Sequence, residues 1–223
     1  MSQFISVEGN IGAGKSSIVD ILLNRLNVNK STVLLQEPVK QWTDLKESNG
    51  QNILELFYQN PDRWSYSFQM NAFITRLKLI EEAIKKNPES LIITERTVQT
   101  DRNCFAKELY STSNISELEW KLYNEWYHWL IDKTKLNPSA IIYLKVSPKI
   151  CEERIKKRDR KEELSVPIEY LEKIHKRHED WLNERTDIPI LTIDFSGNIS
   201  DEDFMESTIE KINNFIKNII KSD

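Results

Sequence analysis

The chain has 223 residues, of which 39% are hydrophobic and 30% charged, a composition typical of a folded globular protein and not of a disordered one. Its formal net charge of -4 gives no overall attraction to nucleic acid or to an anionic membrane. No segment approaches the roughly 18 consecutive apolar residues of a membrane-spanning helix, and the length predicts a single domain over residues 1–223.

Five short runs are almost continuously apolar and contain β-branched residues, which predicts strands covered on both faces. They are Phe4–Glu8, Thr32–Glu37, Leu91–Glu95, Ala140–Val146 and Ile190–Asp194. The helical patterns between and after them are Lys15–Leu26, Pro61–Lys86, Ser116–Lys135, Pro148–Arg158, Pro167–Glu184 and Ser200–Ile220. This alternation predicts an α/β fold with one five-stranded parallel sheet and helices on both faces.

The cysteines and the amino terminus bear on the compartment. Cys104 and Cys151 lie far apart and match no metal-binding or redox spacing, which predicts reduced thiols in a cytoplasmic protein. Because the first predicted strand begins within a few residues of Met1, we expect no signal or transit segment. An organellar form with a removed leader stays an alternative.

The segment after the first strand, GNIGAGKSS, fits the P-loop pattern through Gly9, Gly14, Lys15 and Ser16. It stands between a strand and a helix, and this position distinguishes a P-loop from an ordinary glycine-rich turn. Its glycines let backbone N–H groups approach an anion at the helix N-terminus. Lys15 would reach the β- and γ-phosphates, and the Ser16 hydroxyl would join the Mg²⁺ shell. The loop therefore predicts a site for a nucleoside triphosphate with Mg²⁺.

Charged side chains end the next two strands, at the edge where doubly wound sheets bind ligands. Glu37 could accept the proton of an attacking hydroxyl, or it could be a capping or surface glutamate. Glu95 suits a carboxylate directed at a metal ion. Arg96 could neutralise a moving phosphoryl group or orient Glu37. As an isolated pair, Glu95 and Arg96 also fit a structural salt bridge.

The run RIKKRDRKEE, residues 154–163, contains arginines that are predicted to contact the phosphates in addition to the P-loop. On its own such a run is typical of a solvated surface or a basic patch. In a P-loop enzyme it predicts a mobile lid that excludes water from the triphosphate. Arg154 and Arg158 are one helical turn apart, so we expect both to face the phosphates.

Six motifs in this order resemble one family, the deoxynucleoside kinases of the deoxycytidine and deoxyguanosine kinase type. They are GNIGAGKSS, EPVKQW, NPDRWSYSFQ, ERTVQTDRNCFA, RIKKRDRKEE and VPIEYLEKIHKRHEDWL. The match covers nearly the whole chain. The resemblance implies a P-loop kinase fold with an arginine-rich lid and a homodimer. It implies transfer of the γ-phosphate of ATP, with Mg²⁺, to the 5′-hydroxyl of a deoxyribonucleoside.

The resemblance also implies which residues handle the phosphates. Glu37 is similar to the general base, Arg96 to the arginine that contacts the 5′-hydroxyl and the phosphoryl group, and Glu95 to the metal-associated acid. Whether Glu37 or Glu95 accepts the proton stays open, and the implied metal residues are Ser16 and Glu95. The implied ATP contacts are Gly9, Asn10, Ile11, Gly12, Ala13, Gly14, Lys15, Ser16, Ser17, Arg154, Arg158 and Arg160.

The implied nucleoside contacts form a second group. Tyr58 and Glu163 match the partners of the sugar 3′-hydroxyl, and Gln69 matches the residue that pairs with the base edge. The implied hydrophobic walls are Ile11, Trp42, Leu54, Phe68 and Phe105. Without the resemblance, the aromatic members of this group and Tyr58 would be read as core residues. Gln69 and Arg76 are two turns apart on one predicted helix and therefore share a face.

Substrate preference rests on Arg76 and Asp101. They match an ion pair beside the base in deoxycytidine and deoxyguanosine kinases, where thymidine-accepting relatives carry small or apolar residues. We therefore expect deoxyadenosine, deoxyguanosine or deoxycytidine to be preferred over thymidine. Two departures temper the match. Thr97 stands where serine is common, and the link over residues 194–204 is longer than usual, so the adenine contacts are undefined.

Other functions predict different features. A nucleoside monophosphate kinase similar to thymidylate kinase would need a site for the acceptor's own phosphate, whereas Glu37 stands where the hydroxyl should lie. A GTPase-like switch would need a guanine-reading motif, which is not evident. Only KKRDRK favours nucleic-acid binding, against the negative net charge. We expect neither a nucleic-acid nor a membrane partner. One predicted helix is rich in aromatic residues, which predicts a face buried by core packing or by partner contact; they are Trp120, Tyr123, Trp126, Tyr127 and Trp129.

Overall fold

The computed structural model describes residues 3–221, and within them a single parallel sheet with the strand order β2-β3-β1-β4-β5. Its strands are β1 (Gln3–Glu8), β2 (Thr32–Leu35), β3 (Leu91–Glu95), β4 (Ala140–Lys145) and β5 (Ile190–Asp194). All neighbouring strands pair in parallel. The predicted α/β class and five-stranded parallel sheet are thus confirmed.

Helices flank the sheet. They are α1 (Lys15–Arg25), α2 (Val39–Asp44), α3 (Ile53–Gln59), α4 (Pro61–Lys86), α5 (Val98–Thr100), α6 (Lys107–Ser111), α7 (Glu117–Thr134), α8 (Pro148–Arg158), α9 (Ile168–Asn183) and α10 (Glu202–Lys221). A π-helical turn, Asp101–Ala106, joins α5 to α6, and a 3₁₀ turn, Lys161–Glu163, precedes α9. The six predicted helices are confirmed, α4 and α8 with the predicted ends and the other four with shifted ends. Helices α2, α3, α5 and α6 and both turns were not predicted. No helix in residues 3–221 has the length and apolar character to cross a membrane.

Local capping explains where the long helices begin. Asn60 accepts a hydrogen bond from the Arg63 N–H, and Pro61 occupies the first turn of α4, where its missing N–H costs nothing. Ser116 and Glu119 form the predicted capping box at the start of α7, satisfying two N–H groups that the helix leaves unpaired. These helices therefore start where the sequence places their caps.

Two large apolar clusters cover the two faces of the sheet, and a small third cluster joins Ile141 and Tyr143 of β4 to Leu182 of α9. The alternation of β1 divides its side chains, because Ile5 and Val7 pack into one cluster with α1 and α10, while Phe4 packs into the other with α4 and α7. In β1, β3 and β4 almost every described side chain is buried, but β2 and β5 are only partly so. The expectation of strands covered on both faces is wrong for β2 and β5, because both are edge strands.

Strand β2 is shorter than predicted. It ends at Leu35, whose partner in β3 is Thr94, and not at Glu37. Pro38 has no N–H to donate and restricts the residue before it, so Glu37 lies in a loop. This loop places Glu37 beyond the carboxyl end of the sheet, where the P-loop and the end of β3 also lie.

Candidate active site

The P-loop connects β1 to α1 through backbone that favours glycine. Gly14 has a φ of 94°, and a Cβ there would come within 2.8 Å of the Phe195 ring, so the loop packs closely against the segment after β5. The Lys15 ammonium is buried and donates to the Asn10 carbonyl at 2.8 Å. Burial and the nearby Arg96 lower the pKa of Lys15 to about 8, against the opposing charges of Glu95 and Glu37.

A hydroxyl and a carboxylate meet beside this loop. Ser16 Oγ donates to Glu95 Oε2 at 2.9 Å, and the Lys15 ammonium lies 3.8 Å from Glu95 Oε1. Within residues 3–221, no group of three or more His, Cys, Asp or Glu side chains is arranged so that it could hold a metal ion. Mg²⁺ does not require one, since it keeps several waters and phosphate oxygens with one or two protein ligands. The Ser16–Glu95 pair fits such an ion.

Two arginines converge on Glu37. Arg76 Nη2 donates to Glu37 Oε1 at 2.7 Å, and Arg96 Nη1 donates to Oε1 at 2.8 Å and to Oε2 at 3.0 Å. The Glu37 side chain is 14% exposed. Burial alone would raise the pKa of Glu37, but the charges of Arg96, Arg76 and Lys15 outweigh burial and hold this pKa well below its ordinary value. Glu37 is therefore a carboxylate with both oxygens oriented.

Arg96 has a backbone conformation that its sequence does not reveal. Its φ is 63°, a left-handed value uncommon for a residue other than glycine and often found at functional sites. The turn is fixed by its N–H, which donates to the Val7 carbonyl at 3.0 Å. The guanidinium lies 4.8 Å from the centre of the Phe105 ring. This turn directs the side chain toward Glu37.

A cavity of about 240 Å³ opens beside these charges. One wall holds Gln69 and the ion pair in which Arg76 Nε donates to Asp101 Oδ2 at 2.8 Å. Asp101 and Glu37 raise the pKa of Arg76 despite its burial, whereas burial raises the pKa of Asp101 against the opposing charge of Arg76. Phe68 stacks on Phe57 with a centroid separation of 4.7 Å. The cavity joins an apolar slot to a charged end.

Every residue that the resemblance assigned to the nucleoside lines this first cavity. They are Ile11, Trp42, Leu54, Tyr58, Phe68, Gln69, Arg76, Arg96, Asp101, Phe105 and Glu163. Sequence reasoning missed other lining residues, namely Gln36, Val39, Lys40, Phe57, Ala72 and Tyr170. The 3.6-residue period of α4 could have found Ala72, which lies one turn from both Gln69 and Arg76.

The lid arginines have different partners. Arg158 and Arg160 both bind the Glu163 carboxylate, Arg160 at 2.5 Å. Arg154 instead donates to the carbonyls of Ala13, Phe195 and Gly197. Arg154 and Arg158 thus lie at the same site, but their side chains do not share partners as their spacing predicted. The reason is that Arg154 is occupied by backbone oxygens of the P-loop and of the segment after β5.

A second cavity, of about 740 Å³, also borders the P-loop. Its predicted lining residues are Gly12, Gly14, Lys15, Ser16, Ser17, Glu95, Arg154, Arg158 and Arg160. Sequence reasoning missed Ile150, Glu153 and Lys157. The other lining residues belong to the link between β5 and α10, whose individual contacts the sequence left undefined; they are Ser196, Gly197, Asn198, Ile199 and Ser200.

Three predicted loop residues line neither cavity. Asn10 Nδ2 donates to the Leu171 carbonyl at 2.8 Å, tying the loop to α9. Ala13 is fully buried, and the Gly9 carbonyl accepts a hydrogen bond from Arg96. In this structure Gly9, Asn10 and Ala13 shape the loop.

A P-loop at the carboxyl edge of a parallel sheet, with an acceptor cavity beside it, defines a P-loop phosphotransferase. Residues 5–221 match the deoxynucleoside kinase family model, and the chain belongs to the deoxynucleoside kinase family. Membership confirms the enzyme class expected from the sequence, an ATP-dependent deoxynucleoside kinase, and its P-loop kinase fold.

Three relatives illustrate the similarity. The chain is 40% identical to a probable deoxycytidine kinase of Fowlpox virus (strain NVSL) over 92% of this chain and 84% of the relative. It is 34% identical to deoxycytidine kinase of Homo sapiens over 96% and 91%. It is 35% identical to the mitochondrial deoxyguanosine kinase of Xenopus laevis over 96% and 88%.

Proposed function

We propose that this chain transfers the γ-phosphate of ATP to the 5′-hydroxyl of a deoxyribonucleoside, with deoxyadenosine, deoxyguanosine or deoxycytidine preferred over thymidine. The observation that carries the proposal is a shared wall between the two cavities. Lys15, Ser16, Glu95, Arg158 and Arg160 line both of them, whereas Glu37 lines only the first. ATP would occupy the second cavity and the nucleoside the first, so that the γ-phosphate and the hydroxyl meet at this wall.

Glu37 is our candidate for the proton acceptor. The hydroxyl oxygen attacks the γ-phosphorus, the bond from that phosphorus to the β,γ-bridging oxygen breaks, and the hydroxyl proton passes to Glu37. Glu95 is the weaker candidate because it lies beside the P-loop with Ser16, where the two would hold Mg²⁺, whereas Glu37 lines only the cavity that we assign to the nucleoside. The low pKa of Glu37 keeps it ionised at neutral pH. It is also a weak base, which suits a loose transition state in which orientation of the nucleophile matters most.

Cationic side chains surround the path of the phosphoryl group. Lys15 contacts the loop that would hold the β- and γ-phosphates, and Arg96 lies between Glu37 and the Gly9 carbonyl. Such preorganised charges stabilise the negative charge that the transferring group carries. Ser16 and Glu95 would hold Mg²⁺, which when bound neutralises charge on the β- and γ-oxygens.

The other end of the first cavity would bind the nucleoside. Tyr58 and Glu163, which line this cavity, would contact the sugar 3′-hydroxyl. The buried Gln69 amide would pair with a base edge, as amides can do with a donor and an acceptor. The Arg76–Asp101 pair, which lines the same cavity as Gln69, would narrow the space for the 5-methyl group of thymidine. Relatives named deoxycytidine and deoxyguanosine kinase support a preference for such substrates.

A phosphoryl-transfer assay tests the proposal. Mg-ATP is supplied with each of the four natural deoxyribonucleosides and, separately, with the four corresponding monophosphates. We expect nucleosides to be phosphorylated with thymidine the poorest. Thymidine as the best substrate would overturn the preference. Transfer only to a monophosphate would favour the thymidylate-kinase-like alternative and remove the roles of Glu37 and Gln69.

We also propose that the enzyme is a homodimer joined through α7. Tyr123 and Tyr127 face the core, but Trp126 and Trp129 are 49% and 53% exposed and contact each other. Leu118 and Leu122 extend the same exposed apolar face, and patches of this kind mark interaction sites. Sedimentation equilibrium of wild type and of Trp126→Glu should give a dimer and a monomer. A wild-type monomer would refute the proposal.

A further inference from the structure

Glu8 is a buried carboxylate that the transfer reaction does not use. It is the last residue of β1, with no exposed surface, directly before the P-loop. Burial raises the pKa of Glu8, and the Thr100 hydroxyl, Arg96 and Arg76 oppose that rise. A buried carboxyl group carries a large desolvation cost unless it is hydrogen-bonded, so its hydrogen-bond partner indicates its purpose.

That partner is Thr100. Its hydroxyl donates to Glu8 Oε2 at 2.6 Å. Either protonation state of Glu8 offers an oxygen to this donor, so the contact does not depend on the charge. Thr97 reinforces the arrangement, since its carbonyl accepts the N–H groups of both Thr100 and Asp101 at 3.1 and 3.2 Å. Glu8 is thereby tied to the turn that leads from β3 into the π-helical segment.

The turn carries the contact onward to Glu37. Asp101 directly follows Thr100 and accepts from Arg76 Nε at 2.8 Å. The same guanidinium reaches Glu37 through Nη2 at 2.7 Å. All four members from Glu8 to Arg76 are buried. Because no solvent separates these closely packed side chains, a displacement of Thr100 should be transmitted to the Glu37 carboxylate, which would face the substrate.

We infer that Glu8 is a positioning residue that, through the Thr100 hydroxyl, fixes Asp101 and Arg76 and so orients Glu37. The inference rests on the proposed function, because Glu37 is its end point. It gives the glutamate directly before the P-loop a role in orienting the residue that would face the acceptor hydroxyl.

Thr100 gives a matched pair of variants. Thr100→Val removes the hydroxyl but keeps the shape, and Thr100→Ser keeps the hydroxyl. We expect Thr100→Val to lower kcat about 10- to 100-fold, the size of effect that a small misplacement of a reacting group produces, with an unchanged KM for ATP. Thr100→Ser should stay within about twofold of wild type. Glu8→Ala should resemble Thr100→Val, and the melting temperatures of all variants separate activity from folding.

Equal kcat values for the Val and Ser variants would overturn the inference, as would a loss that only follows the melting temperature. A crystal structure of Thr100→Val supplies a readout independent of activity. We expect the contact between Arg76 Nε and Asp101 Oδ2 to lengthen, and its retention at the wild-type distance overturns the inference. A wild type that phosphorylates no deoxyribonucleoside would refute the proposed function, while this structural comparison would still decide the role of Glu8.

Discussion

Replacing Glu37 by glutamine tests the chemistry at the centre of the site. The carboxylate accepts hydrogen bonds from Arg76 on Oε1 and from Arg96 on both oxygens. Glutamine keeps one acceptor and turns an N–H₂ group toward a guanidinium. The loss of charge-assisted bonds predicts a free energy of unfolding about 1.5–3 kcal/mol lower. If Glu37 accepts the proton, kcat should fall about 10²- to 10⁴-fold, which is about 2.7–5.5 kcal/mol in the activation barrier.

The structure also predicts what Glu37→Gln leaves unchanged. Glu37 does not line the second cavity, where ATP would bind, so the Kd for an ATP analogue should stay as in wild type. The matched control is Glu82→Gln on α4, whose carboxylate makes only long, exposed contacts with Lys78 and Lys86 and should change neither kcat nor stability measurably.

Steady-state kinetics at saturating ATP and nucleoside, with calorimetric titration of the analogue, would measure both quantities. An unchanged kcat in a folded Glu37→Gln variant would refute the assignment of Glu37 to proton transfer and leave Glu95 as the candidate.

Three further predictions concern the P-loop and one helix cap. A bound phosphate favours the ammonium form of Lys15, whose pKa is about 8 in the free protein. Above that pH, ATP binding should therefore take up a proton, and the Kd for ATP should rise by up to about tenfold per pH unit. Calorimetry in two buffers of different ionisation enthalpy measures this uptake, and its absence would contradict the burial of Lys15. Gly14→Ala should destabilise the fold by about 1–3 kcal/mol, and by more than the control Gly50→Ala. Both glycines have a positive φ, but a Cβ would meet a neighbour at Gly14 and none at Gly50. Equal melting temperatures of the two variants would refute the packing argument. Ser116→Ala should cost about 1 kcal/mol of stability with kcat unchanged, as denaturant titration and the kinase assay would show.

The features that the sequence predicted well are those with a strong local signal. The P-loop pattern fixes backbone, residue type and position together, and apolar runs locate the sheet. Long helices such as Pro61–Lys86 have recognisable capping residues and repeat their apolar positions over several turns. The short helices α2 and α3 have only Val39–Asp44 and Ile53–Gln59 in which to repeat a pattern. They pack against each other and against α4, which a local window does not contain. The capping box of Asn52 and Glu55 at the start of α3 is a local signal that sequence reasoning missed.

The site was harder to predict from the sequence than the fold, for a related reason. In the sequence Trp42, Phe68 and Tyr58 look like core residues because they are aromatic. In the structure Trp42 and Phe68 are buried and Tyr58 is half-buried, and only the surrounding charges make their cavity a binding site. The partner of Arg154 could not be found by spacing, since its hydrogen bonds run to backbone carbonyls that any residue supplies. Nor does any motif encode the positive φ of Arg96, which the surrounding structure imposes.

The charges around Glu37 impose a compromise between basicity and position. Arg76 and Arg96 orient both carboxylate oxygens, and the same contacts lower the pKa of Glu37, so better orientation is obtained with a weaker base. In a loose transition state the proton leaves late, and the loss of basicity then costs less than misplacement would. A site of this kind depends on how firmly its arginines are held. Arg76 is held by Asp101, and the turn bearing Asp101 is tied to Glu8 through Thr100, so the rate of transfer should be sensitive to buried residues that touch neither substrate.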